Sequence, residues 1–266
     1  MTKTDGNTPI RGVRVEIDAG LAVLTIDRPE VRNAIGLTTI DELGEALDTV
    51  LDSRATVLVL RGGGDRAFVS GGDLKELSVI RTHDEAVSMA KGVRRLLDRV
   101  ANFPIPVIAA LNGHALGGGA EVAIAADIRI AADDVTIGFN QVALGIMPAW
   151  GGIERLAVSI GRSRALLAIA SGEIYDALTA QRLGLVDIVV PRATFEDDWH
   201  TLARRMAALA PGTTRAIKSI VGAAVPACHP ELEANATEAF AELWTSEAHW
   251  AAVDALRTRR QQRPPC

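Results

Sequence analysis

A chain of 266 residues in which nearly half of the side chains are hydrophobic is long enough to form one large domain with a substantial core. Its net charge of −5 argues against a face that binds nucleic acid. The chain has no uninterrupted apolar run of the roughly 18 residues that a transmembrane helix requires, and its polar start lacks the apolar segment of a secretory signal. We therefore expect a cytoplasmic protein without membrane contact.

The cysteines and histidines are too scattered to indicate a metal site. Cys228 and Cys266 lack a metal-binding spacing, and no two of the five histidines lie four residues apart. We therefore expect no metal ion. A basic cluster at residues 257–260 could meet the phosphate groups of a ligand, although a solvated helix end is the more common role of such a cluster.

Beyond a predicted flexible tail at residues 1–12, the first part of the chain alternates β-type and helical patterns. The expected elements, in chain order, are strands at 13–17 and 21–26 joined by a hairpin turn, a helix at 38–53, a strand at 55–60, a short helix at about 73–78, a long helix at 83–102, and strands at 107–111, 128–131 and 136–139. This alternation indicates an α/β fold.

Helical patterns dominate the chain after residue 152. The predicted helices cover 152–158, 162–171, 195–209, 213–224, 231–244 and 247–259, and a short β-type segment lies at 186–190. The apolar faces of these helices can cover the core of the same chain or that of a neighbouring subunit.

Two glycine-rich segments each lie where a predicted strand passes into a predicted helix. The glycines at 117–119 follow the strand at 107–111, and Gly71 and Gly72 follow a β-type segment that ends near Val69. At such junctions the backbone N–H groups have no intrahelical partner, and glycine lets a ligand approach them closely. Two junctions of this kind can direct two N–H groups at one oxygen, as in an oxyanion hole.

Glu121 is the candidate acid of the first junction. It lies three residues after Gly118, one helical turn further along, so its carboxylate can reach a ligand held at the glycines. A carboxylate in the first turn of a helix also interacts favourably with the helix dipole, and helix geometry alone gives the two roles about equal weight.

Five segments together resemble the enoyl-CoA hydratase/isomerase (crotonase) superfamily. They are DRPEVRNA at 27–34, FVSGGDLKEL at 68–77, NGHALGGGAE at 112–121, LGIMPAWGG at 144–152 and GLVD at 184–187. The resemblance implies a spiral of ββα units over residues 13–192. It also implies a helical C-terminal region at 193–266 that drives formation of a homotrimer, or of a dimer of trimers.

The same resemblance implies that the substrate is an acyl thioester of coenzyme A, with no cofactor beyond that coenzyme A moiety. The thioester oxygen would be held by the backbone N–H groups of Gly72 and Gly118. The adenine and pantetheine parts would lie along Asp73, Leu74 and Lys75. For Lys75 a solvated surface charge is an equally weighted alternative, and for Asp73 the default role is helix capping.

The sequence departs from the family pattern at one catalytic position. Hydratases of the family use two glutamates; the first matches Glu121, but the second is replaced by Gln141. An amide can hold a water molecule but cannot exchange a proton at neutral pH. An enoyl-CoA hydratase-like lyase remains the first interpretation. The alternatives are a decarboxylase, a hydrolase, a carbon–carbon lyase, an isomerase or a non-catalytic acyl-CoA-binding protein.

Three further residues have two possible roles each. Glu154 could substitute as an acid, although a surface ion pair with Arg155 or Arg164 is favoured. Trp150 could narrow an acyl pocket or simply pack in the core. We expect His114 to contact the protein rather than a substrate.

Overall fold

The computed structural model describes residues 12–224 and 230–261. Within these residues the chain forms ten strands and ten α-helices. The strands are β1 (Val13–Asp18), β2 (Leu21–Ile26), β3 (Val57–Gly62), β4 (Ala67–Val69), β5 (Val107–Leu111), β6 (His114–Leu116), β7 (Ile128–Ala132), β8 (Thr136–Gly138), β9 (Tyr175–Asp176) and β10 (Ile188–Val190). The helices are α1 (Leu37–Leu51), α2 (His83–Ala101), α3 (Gly118–Ala125), α4 (Gly152–Ile160), α5 (Arg162–Ser171), α6 (Ala177–Leu183), α7 (Phe195–Ala207), α8 (Pro211–Ala223), α9 (Pro230–Trp244) and α10 (Glu247–Gln261).

The strands form two separate sheets, and successive strands along the chain contribute to both. A six-stranded sheet has the order β1-β2-β3-β5-β7-β10, and a four-stranded sheet has the order β4-β6-β8-β9. Each of the pairs β3/β4, β5/β6 and β7/β8 gives its first strand to the large sheet and its second strand to the small one. Strands β2, β3, β5, β7 and β10 are parallel. The predicted α/β fold with a spiral of ββα units is therefore confirmed.

The core lies between the large sheet and the helices that cover it. Every residue of β5 is buried, as expected for a central parallel strand that is covered on both faces. Helix α2 begins at a capping box in which the Glu85 amide donates to the Thr82 hydroxyl and the Glu85 carboxylate accepts from the Thr82 amide. Its apolar face is buried against the core. Arg94 and Asp98 of α2 form ion pairs with residues in the first turn of α4.

The structure corrects the prediction around both glycine segments. The glycines at 117–119 do not follow the strand at 107–111 directly, because β6 intervenes and pairs with β4 and β8. A strand of three residues is too short to show an alternating pattern, and its neighbours in the sheet define it. The short helix predicted at about 73–78 is only partly present: the Asp73 carboxylate accepts the amides of Lys75 and Glu76 in a turn, and a 3₁₀ helix follows at Leu77–Val79. The sequence prediction also missed β9 and α6.

Some of the predicted features lie outside the described residues. Of the predicted tail, residues 1–11 lie outside the described residues, as do Cys228 and Cys266, whereas the Gly12 carbonyl accepts a hydrogen bond from the Asp27 amide. The predicted C-terminal helices are present as α7 to α10. In the part of the chain that the structure describes, no helix is long and apolar enough to cross a membrane.

Candidate active site

A cavity of about 1520 Å³ opens between the two glycine segments and the C-terminal helices. It exceeds the range of about 300–1,000 Å³ that is typical of small-molecule pockets, so it has room for an extended ligand. The cavity brings together all of the predicted site residues, which are Gly72, Asp73, Leu74, Lys75, Gly118, Glu121 and Gln141.

The backbone fixes the direction of the Gly72 amide. The Gly71 carbonyl accepts a 2.8 Å hydrogen bond from the Ile35 amide, and no described peptide bond is cis. Because the C=O and N–H of a trans peptide point in opposite directions, the Gly72 N–H points away from Ile35. Gly71 itself has φ of +106°, a conformation that favours glycine.

The Gly118 amide is fixed in a similar way at the start of α3. The Gly117 carbonyl accepts hydrogen bonds from the amides of Ala120 and Glu121, so it points along the helix. The N–H of Gly118 belongs to the same peptide group and therefore points out of the N-terminal end of α3, where the helix dipole is positive.

The two glycines are near neighbours on the ring of Trp150. The Trp150 Cη2 atom lies 2.6 Å from the position that a β-carbon of Gly118 would take, and 3.7 Å from the equivalent position at Gly72. The two positions are therefore no further apart than the sum of these distances. Trp150 is buried in the core and its ring also lines the cavity; that it narrows an acyl pocket stays a prediction.

Glu121 is buried, and three donors hold its carboxylate. Oε1 accepts from the Gln141 side-chain Nε2 at 2.9 Å, and Oε2 accepts from the amides of Trp150 at 2.8 Å and Gly152 at 3.0 Å. Burial raises the pKa of Glu121 to about 7, although the two amides and the charge of Arg155 act in the opposite direction. A carboxyl group with this pKa can both take and give a proton near neutral pH.

Gln141 lies in a short 3₁₀ turn, Asn140–Leu144, beside Glu121. Its Nε2 must face the carboxylate because only the NH₂ group can donate a hydrogen bond. Its Oε1 is buried and accepts no hydrogen bond from the described residues. This oxygen can accept a hydrogen bond from a water molecule or a ligand.

Asp73, Leu74 and Lys75 form one rim of the cavity. Asp73 caps its own turn and pairs with Arg28 at 3.2 Å, which accords with the capping role considered from the sequence. The Leu74 carbonyl accepts from Arg257 of α10, while the Lys75 side chain is exposed. Arg257 of the basic cluster thus lies at the same rim.

Two secondary expectations have different outcomes. Glu154 pairs with Arg94 at 2.7 Å, so the expected surface pair with Arg155 or Arg164 is wrong. Both partners are largely buried, and Glu154 does not line the cavity. His114 contacts Thr136, but it also lines the cavity, so its expected contact with the protein rather than a substrate stays a prediction.

Sequence reasoning missed the two main-chain donors to Glu121 and an apolar wall of the cavity. That wall is formed by Met89 of α2 together with Phe240 and Trp244 of α9. The glycine pair at 151–152 is the one sequence signal for the donors, since it marks a helix start with exposed N–H groups. Among residues 12–224 and 230–261, no group of three or more His, Cys, Asp or Glu side chains is arranged to hold a metal ion.

Comparison with known proteins assigns the chain to a family. The family model described as enoyl-CoA hydratase/isomerase matches residues 16–261. A short-chain-enoyl-CoA hydratase of Clostridium acetobutylicum is 31% identical over 253 residues, which are 95% of this chain and 97% of that protein. An enoyl-CoA isomerase/hydratase of Mycosarcoma maydis is 38% identical over 212 residues, or 76% and 77% of the two chains. The crystal structure of carnitinyl-CoA hydratase from Mycobacterium avium is 32% identical, covers 95% of this chain and 98% of its own, and superposes with a TM-score of 0.81.

Proposed function

The chain belongs to the enoyl-CoA hydratase/isomerase family, and from this premise we propose that it is an acyl-CoA-processing lyase that adds water to an enoyl-CoA thioester. The observation that carries the proposal is the buried carboxyl of Glu121, with a pKa of about 7, in the same cavity as the Gly72 and Gly118 amides. A reaction that moves a proton beside a thioester requires these two parts: a proton carrier and a site for negative charge.

In the proposed reaction, ionised Glu121 takes a proton from a water molecule as the water oxygen bonds to the β-carbon of the enoyl group. The electron pair of the double bond moves toward the thioester, and negative charge develops on its oxygen. Glu121 then returns the proton to the α-carbon, so the product contains one added water. A single carboxyl group that takes and then gives the proton makes a second one unnecessary.

Gly72 and Gly118 would stabilise the thioester oxygen in this reaction. Their amides belong to peptides whose carbonyls point elsewhere, toward Ile35 and along α3. Fixed donors aimed at a developing charge need no reorganisation, and the loss of one such donor in other enzymes costs about 2.7–4 kcal/mol of barrier. The Gln141 Oε1 would accept a hydrogen bond from the attacking water and orient it beside Glu121.

Coenzyme A would lie along the rim formed by Asp73, Leu74 and Lys75. Lys75 and Arg257 supply positive charges there that suit phosphate groups, and the Leu74 side chain offers an apolar contact. Asp73 would act indirectly, because its carboxylate already caps the turn that places the other two residues.

Identification of the products from a panel of coenzyme A thioesters tests this function. Crotonyl-CoA, a malonyl thioester and a 3-oxoacyl thioester are incubated with the protein and with Glu121→Gln, and the products are resolved by mass spectrometry. We expect crotonyl-CoA to gain the mass of one water with the native protein only. Loss of carbon dioxide, release of free coenzyme A, chain cleavage or a shifted double bond would instead assign a decarboxylase, a hydrolase, a carbon–carbon lyase or an isomerase.

A binding protein without turnover is the remaining alternative, motivated by Gln141. Tight thioester binding with no product from any member of the panel would favour it. Glu121 lines the same cavity as Gly72 and Gly118, whose amides have no acceptor among the described hydrogen bonds, and this arrangement argues for turnover.

We further propose that the protein forms a homotrimer or a dimer of trimers through its C-terminal region. Support comes from α8, where Ile217, Ile220 and Val221 share one helical face and are each more than half exposed in the single chain. Analytical ultracentrifugation of the native protein and of Ile220→Glu tests this assembly, and we expect the variant to dissociate.

A further inference from the structure

The turn that binds Glu121 is held from its other side by Arg155. Residues 150–152 form this turn, which donates the amides of Trp150 and Gly152 to one oxygen of Glu121. The Nη1 of Arg155 donates a 2.9 Å hydrogen bond to the carbonyl of Trp150. Both backbone polar groups of Trp150 are thus held by charged side chains: its N–H donates to the Glu121 carboxylate, and its C=O accepts from the Arg155 guanidinium.

A second nitrogen of Arg155 anchors this arrangement to α2. Its Nη2 forms a hydrogen-bonded ion pair with Asp98. The guanidinium also packs directly on Gly151, since a β-carbon at that residue would meet Nη1 at 2.3 Å. Gly151 has φ of +87°, so the turn depends on a conformation that favours glycine. One planar cation therefore connects α2 to the glycine of the turn.

Arg155 does not line the cavity, so it cannot act by contact with a ligand. Its charged neighbours away from the cavity are Asp98 and Arg94 of α2 and Glu154 of α4. Glu233 of α9 faces Arg94 at 3.7 Å. On the side of the cavity, the charged group that interacts with Arg155 is Glu121.

We infer that Arg155 is a positioning residue for Glu121: it holds the Trp150 carbonyl and Asp98 at once, and so fixes the turn whose amides bind the carboxylate. The kinetic part of this inference rests on the proposed function. The positive charge of Arg155 also opposes the effect of burial on the pKa of Glu121, so its removal leaves the carboxyl protonated to higher pH.

Three variants test the role. Arg155→Met removes both the charge and the fork of donors. Arg155→Lys keeps the charge, but one ammonium on a flexible stem does not reproduce the planar fork that holds the Trp150 carbonyl and Asp98 together. Arg164→Met is the matched control, because Arg164 is exposed on α5. Folding of each variant is checked by circular dichroism.

Protonation of Glu121 is followed directly by infrared spectroscopy across a pH series, using the carboxyl C=O band that Glu121→Gln removes. In Arg155→Met we expect the midpoint of this band to rise by about one pH unit. We also expect kcat for crotonyl-CoA near pH 7 to fall about tenfold while KM stays unchanged, since the binding surface is intact. In Arg155→Lys the midpoint should stay near the native value while kcat falls, and Arg164→Met should match the native protein in both.

A folded Arg155→Met with the native midpoint would overturn the inference. If that variant does not fold, an Arg155→Lys protein with native kcat would overturn it equally. Failure of the proposed function is a separate outcome: the native protein would then show no hydration, yet the infrared midpoint would still report whether Arg155 controls Glu121.

Discussion

The Nε2 of Gln141 donates a 2.9 Å hydrogen bond to Oε1 of Glu121, so the buried Glu121 carboxyl is partnered by an amide side chain. The partner cannot take or give a proton, yet its oxygen is buried and accepts no hydrogen bond from the described residues. Of this hydrogen-bonded pair, Glu121 is the member that can exchange a proton near neutral pH.

The first prediction concerns the pH dependence of turnover. Glu121 must be ionised to accept a proton from water, and its pKa of about 7 means that it is increasingly protonated below neutral pH. We expect kcat/KM for crotonyl-CoA to fall about tenfold per pH unit below 7 and to level off above it. In Glu121→Gln, turnover should drop by a factor of about 10² or more, while the affinity for butyryl-CoA, measured by calorimetry, is retained. Native turnover in this variant would remove Glu121 from the mechanism.

The second prediction is that ionised Glu121 lowers the free energy of unfolding. The folded protein holds the Glu121 proton up to about pH 7, whereas an exposed glutamate loses it near 4.5. The free energy of unfolding therefore falls as pH rises between these values, by up to about 3 kcal/mol, and the loss is complete above pH 7. Glu121→Gln removes this loss, because a neutral amide has no charged form to bury.

Urea denaturation of the native protein and of Glu121→Gln at a series of pH values checks this. We expect the variant to gain in stability relative to the native protein as the pH rises from about 5 to 8. Glu45→Gln is the control, since Glu45 is exposed on α1 and should show no such trend. A stability difference that shrinks as the pH rises would contradict the prediction.

Sequence patterns predicted those elements that have a clear local hydrophobic pattern. Strand β5 is an apolar run of five buried residues, and α2 carries both a capping box and an apolar face, so both were predicted closely. Strand β6 has three residues and exists because β4 and β8 lie on either side of it. Its existence is a property of the sheet and leaves no local signal.

The site shows the same division. Glu121 could be found from the sequence because it lies one helical turn from a glycine that has its own signature. Its donors at Trp150 and Gly152 could not, because main-chain amides 29 and 31 residues away carry no residue-specific mark. The partner of Glu154 was missed for a related reason: Arg94 is 60 residues away, and only the tertiary fold brings the two together.

The third prediction is that Gln141→Glu increases hydration of crotonyl-CoA, by about tenfold. The new carboxylate would lie within hydrogen-bond distance of Glu121, and two carboxyl groups this close share one proton. The rate should therefore follow a bell-shaped pH profile, with one group ionised and the other protonated at its maximum. Gln141→Met, which removes the water-binding oxygen, should lower the rate. A folded Gln141→Glu without any gain would show that Gln141 does not limit hydration.

The fourth prediction concerns the width of the acyl pocket. The Trp150 ring lies beside both glycines and lines the cavity, so an acyl chain held at the two amides must pass it. Trp150→Leu should raise kcat/KM for long-chain enoyl-CoA relative to crotonyl-CoA by about tenfold, the scale of a few methylene groups in an apolar pocket. An unchanged ratio of the two specificity constants would assign Trp150 to core packing alone.

The fifth prediction uses the contact between Gly118 and Trp150. A β-carbon at residue 118 would lie 2.1 Å from Trp150 Cζ3, which no packing tolerates, so Gly118→Ala must displace either the ring or the amide. Displacement of the amide should lower kcat/KM for crotonyl-CoA by about 10²-fold. Combination with Trp150→Leu removes the ring and should restore at least part of the loss, which a double-mutant cycle measures.

Gly92→Ala is the control for this prediction. A β-carbon at residue 92 meets nothing within 4 Å, and a helical alanine should stabilise α2 by about 0.5–1 kcal/mol without changing the rate. If Trp150→Leu and Gly118→Ala are simply additive, the ring is not what the new methyl group displaces, and the loss arises at the amide itself.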